Sequence, residues 1–469
     1  MKITRRSAVQ GLLATGVAAA GTSCTNLPPA SQSSLGSTLT QTKIPDSVDS
    51  PLFNRENALR VLSAASVDLL LCSDPTNVFY LTNHRIVPNS LGMDGLAYAS
   101  FQTDGDLAPA LITGKFSYYL ASDDKTIPSH VRLQLFTSPA EPDLYQALTD
   151  PEEIISAPAT DGYLTPEFDR HSWRPYERTR RATIEKAAID ATATSDAALL
   201  KALRDAPLPN RTVAVDDQRI ISVLKRSGLD LNYVDGEQLL RQIRLRKTPA
   251  ELTYARYAAR ANAEAGLEAA RTVSAGASFQ ELRAEFASAC GKHLSTPVYI
   301  LIDGHFAPLT QDSFVPGRTF LIDCVSQFEG YHGDYGRTVC VGEPGRDMQK
   351  VVDALSSVWD RVLPELKVGA TYADIAALGQ KLFAETKIDA GLVMGPHAVG
   401  LHHTDEPGAR QFAPFEKQNL TLEENMVISV DMPVLGSGLG GTAHLEDLVL
   451  ITKDGPELLN ETSDRFIVV

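Results

Sequence analysis

Two short stretches of the 469-residue chain repeat one pattern. Gly276–Leu282 reads GASFQEL and Gly369–Ile375 reads GATYADI. Each runs Gly-Ala, a hydroxyl residue, an aromatic residue, and an acid three positions after the hydroxyl, the signature of a capping box that opens a helix. Each is followed by an acid in a strand-like run: Asp323 in FLIDC, 47 residues after its Gly, and Asp431 in VISVDMP, 62 residues after its Gly. A second acid then comes in each half, Asp334 and Glu446. The repeat predicts two copies of a helix plus strand pair facing each other across a pseudo-two-fold axis, each delivering two carboxylates.

The first strand pair is FLIDCVSQFEGYHGDYGRT, Phe320 to Thr338, which reads as strand, Gly-containing turn and strand. Asp is depleted in strands, and an unpaired carboxylate in a core is costly. The 11-residue spacing of Asp323 and Asp334 allows one shared face, because the turn or a bulge resets the alternation. No matching set of basic residues lies in these strands to pair with four converging acids. Shared protons neutralise them in part; cations do so better. Carboxylates suit divalent ions such as Mn²⁺, and an imidazole broadens the choice to Fe²⁺, Co²⁺ or Zn²⁺. MGPHAVGLHHTDEPG, Met394 to Gly408, supplies three of the ten histidines, His397, His402 and His403, between the two acid pairs.

Upstream, residues 48 to about 235 read as α/β. Val67–Ser73, Val78–Thr82, Leu107–Thr113, Val131–Phe136 and Thr212–Asp217 have the apolar character of strands, with helical patterns between them. No phosphate-binding Gly loop follows the first run, so a nucleotide site is unsupported. At Arg241–Val273, Thr248, Pro249 and Glu251 mark the capped start of a long helix. The expected organisation is therefore an N-terminal α/β domain over 48–240 and a second domain, carrying the paired acids, over 241–469.

A net charge of −15 argues against a nucleic-acid partner. The densest basic run, Arg170–Arg181, reads as a solvated linker or helix face. MKITRRSAVQGLLATGVAAAG has the basic start and short apolar run of a secretory signal, with Arg5-Arg6 in a twin-arginine pattern. The expectation is a signal over 1–24, a Ser/Pro/Thr-rich linker over 25–47, and a periplasmic or outward membrane-anchored protein. Cys24 after GTS reads as a site of lipid attachment, or as a cysteine without that role. Cys72, Cys290, Cys324 and Cys340 show no disulfide or zinc spacing and read as buried free thiols.

On these residues the second half resembles the pita-bread metallopeptidases: Xaa-Pro aminopeptidase, prolidase, creatinase and methionine aminopeptidase. The lead-in Arg244-Leu-Arg-Lys247…Glu251 and NVFYLTNHR, Asn77 to Arg85, are similar to the Xaa-Pro aminopeptidase, prolidase and creatinase branch. The resemblance implies a creatinase-like N-terminal α/β domain followed by a pita-bread domain. It implies Asp323, Asp334, His397, Asp431 and Glu446 as ligands of two divalent metal ions, with Asp334 and Glu446 bridging. It further implies a homodimer and a small peptide substrate cleaved near its N-terminus before proline. Asp431 would move the proton, and His403 and His305 would donate hydrogen bonds to the peptide carbonyl.

The chain departs from the family pattern in three places. Asp431 stands where Glu is usual. The second histidine, usually seven residues after His397, is six after it, at His403. His444 replaces the usual Arg two before Glu446. Same-fold chemistry on other small molecules, creatinase-like or lyase, and a metal-free binding module are the rival readings. The retained ligand set counts against the last.

Overall fold

The structure, a computed structural model, describes residues 50–469 apart from 86–91, 94, 122–129, 162–174, 436–437, 461 and 463. The expected signal, Cys24 and the linker lie outside the described residues, as do residues 170–174 of the basic run, whose remainder opens the helix Pro175–Ala187. The last residue of the run, Arg181, is buried on that helix.

The first half is built on a mixed six-stranded sheet in the order β4-β3-β2-β1-β5-β6. These strands are β1 Leu69–Cys72, β2 Ala97–Gln102, β3 Ala110–Gly114, β4 Arg132–Phe136, β5 Thr212–Val215 and β6 Asn232–Asp235. Strand β1 runs parallel to β5 and antiparallel to β2. Four of the five expected apolar runs carry strands here. The fifth, Val78–Thr82, is the end of a helix, Pro75–Thr82. Asp74 accepts hydrogen bonds from the Thr76 and Asn77 amides, and Pro75 sits in the first turn, so the capping chemistry overrides a run too short to show its period. All five residues of that run are buried.

The second half carries two four-stranded sheets, β14-β9-β8-β7 and β10-β11-β12-β13. Their strands are β7 Thr296–Ile302, β8 Thr319–Phe328, β9 Tyr331–Cys340, β10 Gly395–Ala398, β11 Val427–Asp431, β12 Leu448–Thr452, β13 Gly455–Leu458 and β14 Phe466–Val468. Each sheet is backed by a helix pair. Pro249–Ala270 and Phe279–Lys292 enclose one apolar cluster against β7, β8 and β9, with Phe279, Phe286, Ile322 and Cys324 in it. Arg346–Val362 and Tyr372–Glu385 enclose the other against β10 to β12, with Trp359, Phe383, Ile428 and Val449. Both repeat segments form the expected capping boxes, Ser278 with Glu281 and Thr371 with Asp374. Thr248 and Glu251 form a third at the head of the long helix, whose Pro249 stands in the first turn.

That long helix lies close on the sheet because small residues admit it. A Cβ on Gly333 would stand 2.4 Å from both the Ala258 carbonyl oxygen and the Asn262 Cβ. Asn262 Nδ2 donates to the Cys324 carbonyl at 2.7 Å, tying the helix to β8. The four described cysteines are free and buried.

Candidate metal centre

The hairpin β8–β9 turns through Glu329 and Gly330, both at positive φ (49° and 79°), as a two-residue hairpin turn requires. A two-residue turn pairs residues of opposite parity, so Asp323 faces Gly336 and Val325 faces Asp334. Asp323 and Asp334 therefore lie diagonally on one face, and the odd spacing is what puts them there. Cys324 points to the opposite face, into the helix-backed cluster.

The second half repeats the device. His397 on β10 pairs with Ser429 on β11, which leaves His397 and Asp431 diagonal on one face. Glu446 lies just before β12, and its backbone bridges to Gly336 of β9, with Glu446 N donating to Gly336 O at 3.1 Å. This bridge joins the two sheets and brings all four acids together.

Two groups of donor atoms result, each with one atom per residue and all within 4.8 Å of one another: Asp334, His397 and His403; and Asp323, Asp431, His444 and Glu446. His397 Nε2 is 3.4 Å from an oxygen of both Asp334 and Asp431, which links the groups. His403 Nε2 is 3.1 Å from Asp334 Oδ2 and 3.0 Å from the Tyr299 hydroxyl. His402 points away, its Nε2 4.0 Å from Glu237. His305 is not brought into either group. It lies on the exposed turn after β7, one residue before Phe306, whose ring meets Tyr299 edge-on at 5.1 Å.

The electrostatics are those of a site short of positive charge. Burial pushes the Asp323 and Glu446 carboxyls well above the usual range, and the neighbouring carboxylates add to the shift. Burial acts the same way on Asp334, but the His403 and His397 imidazoles outweigh it and hold that carboxyl well below the usual range. Burial would lower His397; Asp334 and Asp431 override it and raise the imidazole to about 10. Both Asp334 oxygens, Asp323 Oδ1 and both His397 nitrogens are buried without a well-aligned hydrogen-bond partner. The buried cation nearest in sequence, Arg337, does not serve these carboxylates; its guanidinium binds Asp447 at 2.7 Å and the Glu446 carbonyl at 2.6 Å. Orphaned oxygens and nitrogens of this kind, converging in pairs of groups, fit divalent cations.

Three contributors were not singled out as site residues by the sequence. Ser429 donates to Glu446 Oε1 at 2.7 Å, and its place two residues before Asp431 on the same strand was the available signal. Tyr299 carried no signal. His444 was visible only as a departure from the family pattern, and it stands among the donors.

Helix-backed twin sheets enclosing a carboxylate–imidazole cluster define a pita-bread fold with a candidate metal centre. Residues 253–453 match metallopeptidase family M24, and the chain belongs to that family. It is 26% identical over 153 residues to an Xaa-Pro dipeptidase of Pyrococcus horikoshii, a match covering 32% of this chain and 42% of that protein. It is 30% identical over 183 residues to the methionine aminopeptidase of Aquifex aeolicus, covering 34% of this chain and 67% of that protein. The match thus spans less than half the length of the first of these relatives. Among solved structures, the Xaa-Pro dipeptidase from Bacillus anthracis superposes with a TM-score of 0.60 at 16% identity, covering 88% of this chain and 99% of the other. That likeness shows the fold across most of the chain.

Proposed function

We propose that the protein is an exported metal-dependent peptidase that hydrolyses the amide bond of N-terminal Xaa-Pro or similar small peptides. The observation that carries this reading is the meeting of Asp323, Asp334, His397, Asp431 and Glu446, with Asp323 Oδ1 and both Asp334 oxygens buried without a well-aligned hydrogen-bond donor. The relatives named Xaa-Pro dipeptidase and methionine aminopeptidase support a peptide substrate. Export rests on the Arg5-Arg6 signal pattern, and a homodimer on the family resemblance. The five residues, Asp334 and Glu446 among them, would hold two divalent ions. Mn²⁺ suits the carboxylates, and the imidazole admits Zn²⁺, Co²⁺ or Fe²⁺.

Ions held there supply Lewis acidity and an attacking water at neutral pH. The side chain of Asp431 is 28% exposed, whereas those of Asp334 and Glu446 are fully buried. Asp431 is thus the acid that a substrate meets. It takes the proton of the attacking water and passes it to the leaving nitrogen. His403, oriented by Tyr299, donates to the scissile carbonyl oxygen as charge develops there, and such a donor is worth about 3 kcal/mol. His305, exposed on the turn after β7, would offer the peptide a further donor.

Metal analysis of the purified protein, run beside turnover of an Xaa-Pro dipeptide and a longer Xaa-Pro-Xaa peptide, tests the reading. About two divalent ions per chain are expected, with hydrolysis lost on chelation and restored by the metal. Undiminished hydrolysis by metal-stripped protein would overturn it.

A further inference from the structure

The position two before Glu446 is occupied by His444, where the resembling family keeps an arginine that has no lone pair to offer a cation. The His444 side chain is 2% exposed, with Nε2 3.1 Å from Glu446 Oε2 and 3.8 Å from Asp431 Oδ1. The place of the ring is built into the sheet. A Cβ on Gly336 would stand 2.2 Å from His444 Cδ2 and 2.3 Å from Nε2, so only the bare strand admits the imidazole. The backbone of His444 is clamped on both sides by Thr338. His444 N donates to Thr338 Oγ1 at 2.9 Å, and that hydroxyl donates back to the His444 carbonyl at 3.0 Å. Next to it stands Asp431, one methylene shorter than the glutamate usual there.

We infer that His444 is a nitrogen ligand of the ion held by Asp323, Asp431 and Glu446. This rests on the reading of the site as a two-ion centre. Both donor groups then contain imidazole: His397 in one and His444 in the other. Without His444 the second group would be all carboxylate, a set that favours hard ions such as Mn²⁺. With it the preference moves toward Zn²⁺, Co²⁺ or Fe²⁺. Gly336 is the residue that makes this coordination sterically available.

The test uses the full chain, stripped and refilled with Co²⁺ one equivalent at a time, and read by metal content, visible absorption and paramagnetically shifted imidazole N–H resonances. Wild type should take up two equivalents, with shifted imidazole resonances appearing at each. His444→Gln, which keeps most of the volume and removes the imidazole, should lose one set and weaken one of the two ions by at least about tenfold, the loss that even outer hydrogen-bonding partners cause. Gly336→Ala leaves every donor in the chain but crowds the ring and, at 2.8 Å, the Glu446 Cβ, so it should lose at least as much. Two tightly bound ions with unchanged spectra in both variants would overturn the role of His444 while leaving the two-ion centre standing. Should His444→Gln not fold, the wild-type spectrum decides: imidazole resonances confined to one equivalent overturn the inference. Wild type that binds no Co²⁺ overturns the two-ion reading itself.

Discussion

Asp405→Asn should destabilise the protein through a charge that it leaves behind. The Arg244 guanidinium is fully buried and meets Asp405 through Nε at 3.0 Å and Nη2 at 2.9 Å. Removing one partner of a buried pair costs about 3–5 kcal/mol, because the other charge stays in the interior. Here Glu237 Oε1 remains 3.5 Å from Arg244 Nη2, which keeps the cost near the lower end, about 3 kcal/mol. With a urea slope of about 3 kcal/mol per molar, the unfolding midpoint should fall by about 1 M. Arg244→Met combined with Asp405→Leu removes both charges and should restore much of that loss. The pH dependence has a definite sign. Burial pushes the Asp405 carboxyl up, but Arg244, Lys247 and His402 outweigh it and hold it well below the usual range. A carboxyl depressed in the folded state contributes its stability above the unfolded value, about 3.9, and loses it as pH falls through the folded value. The gap between wild type and Asp405→Asn should therefore be constant from about pH 5 to 8 and close only in strong acid. Because the Asp405 carboxylate also anchors the loop carrying His403, accepting from the Leu401 amide at 3.1 Å, turnover should fall too. A cost under about 1 kcal/mol, or a double variant as unstable as the sum of the single ones, would refute the reasoning.

Asp431→Asn should weaken or empty one ion position, measured by metal content, whereas Asp431→Glu should keep both ions and alter only the rate. His403→Ala should retain the ions while turnover drops by about 10²-fold or more. His402→Ala, whose ring points to Glu237, should leave turnover near wild type. Loss of metal in His403→Ala would instead make that imidazole a ligand. Gly333→Ala should cost about 1–3 kcal/mol of stability, because the added methyl meets the long helix at 2.4 Å, and a neutral result in denaturant titration would contradict the close packing described.

The sequence alone was enough to place both repeat helices, since capping boxes are local chemistry written in four residues, and all three formed as read. The paired acids were also legible, because a carboxylate in an apolar strand run is costly without a cation, and the strands put all four in one place. The run Val78–Thr82 was misread as a strand because five buried residues carry no period; Asp74 and Pro75 just before it held the deciding information. Which histidine of the adjacent pair faces the acids was not decidable from spacing, since neighbours in an irregular loop take their directions from what holds the loop. The Arg244–Asp405 pair, 161 residues apart, holds it and turns His403 to Asp334 and His402 to Glu237. Tyr299, on β7, reaches His403 across 104 residues of chain, a contact no local pattern announces. Residue types and local periods are properties of a short window, but the distances between donors are set by two sheets meeting at Gly336 and Glu446, a contact between segments 110 residues apart that only the folded chain makes.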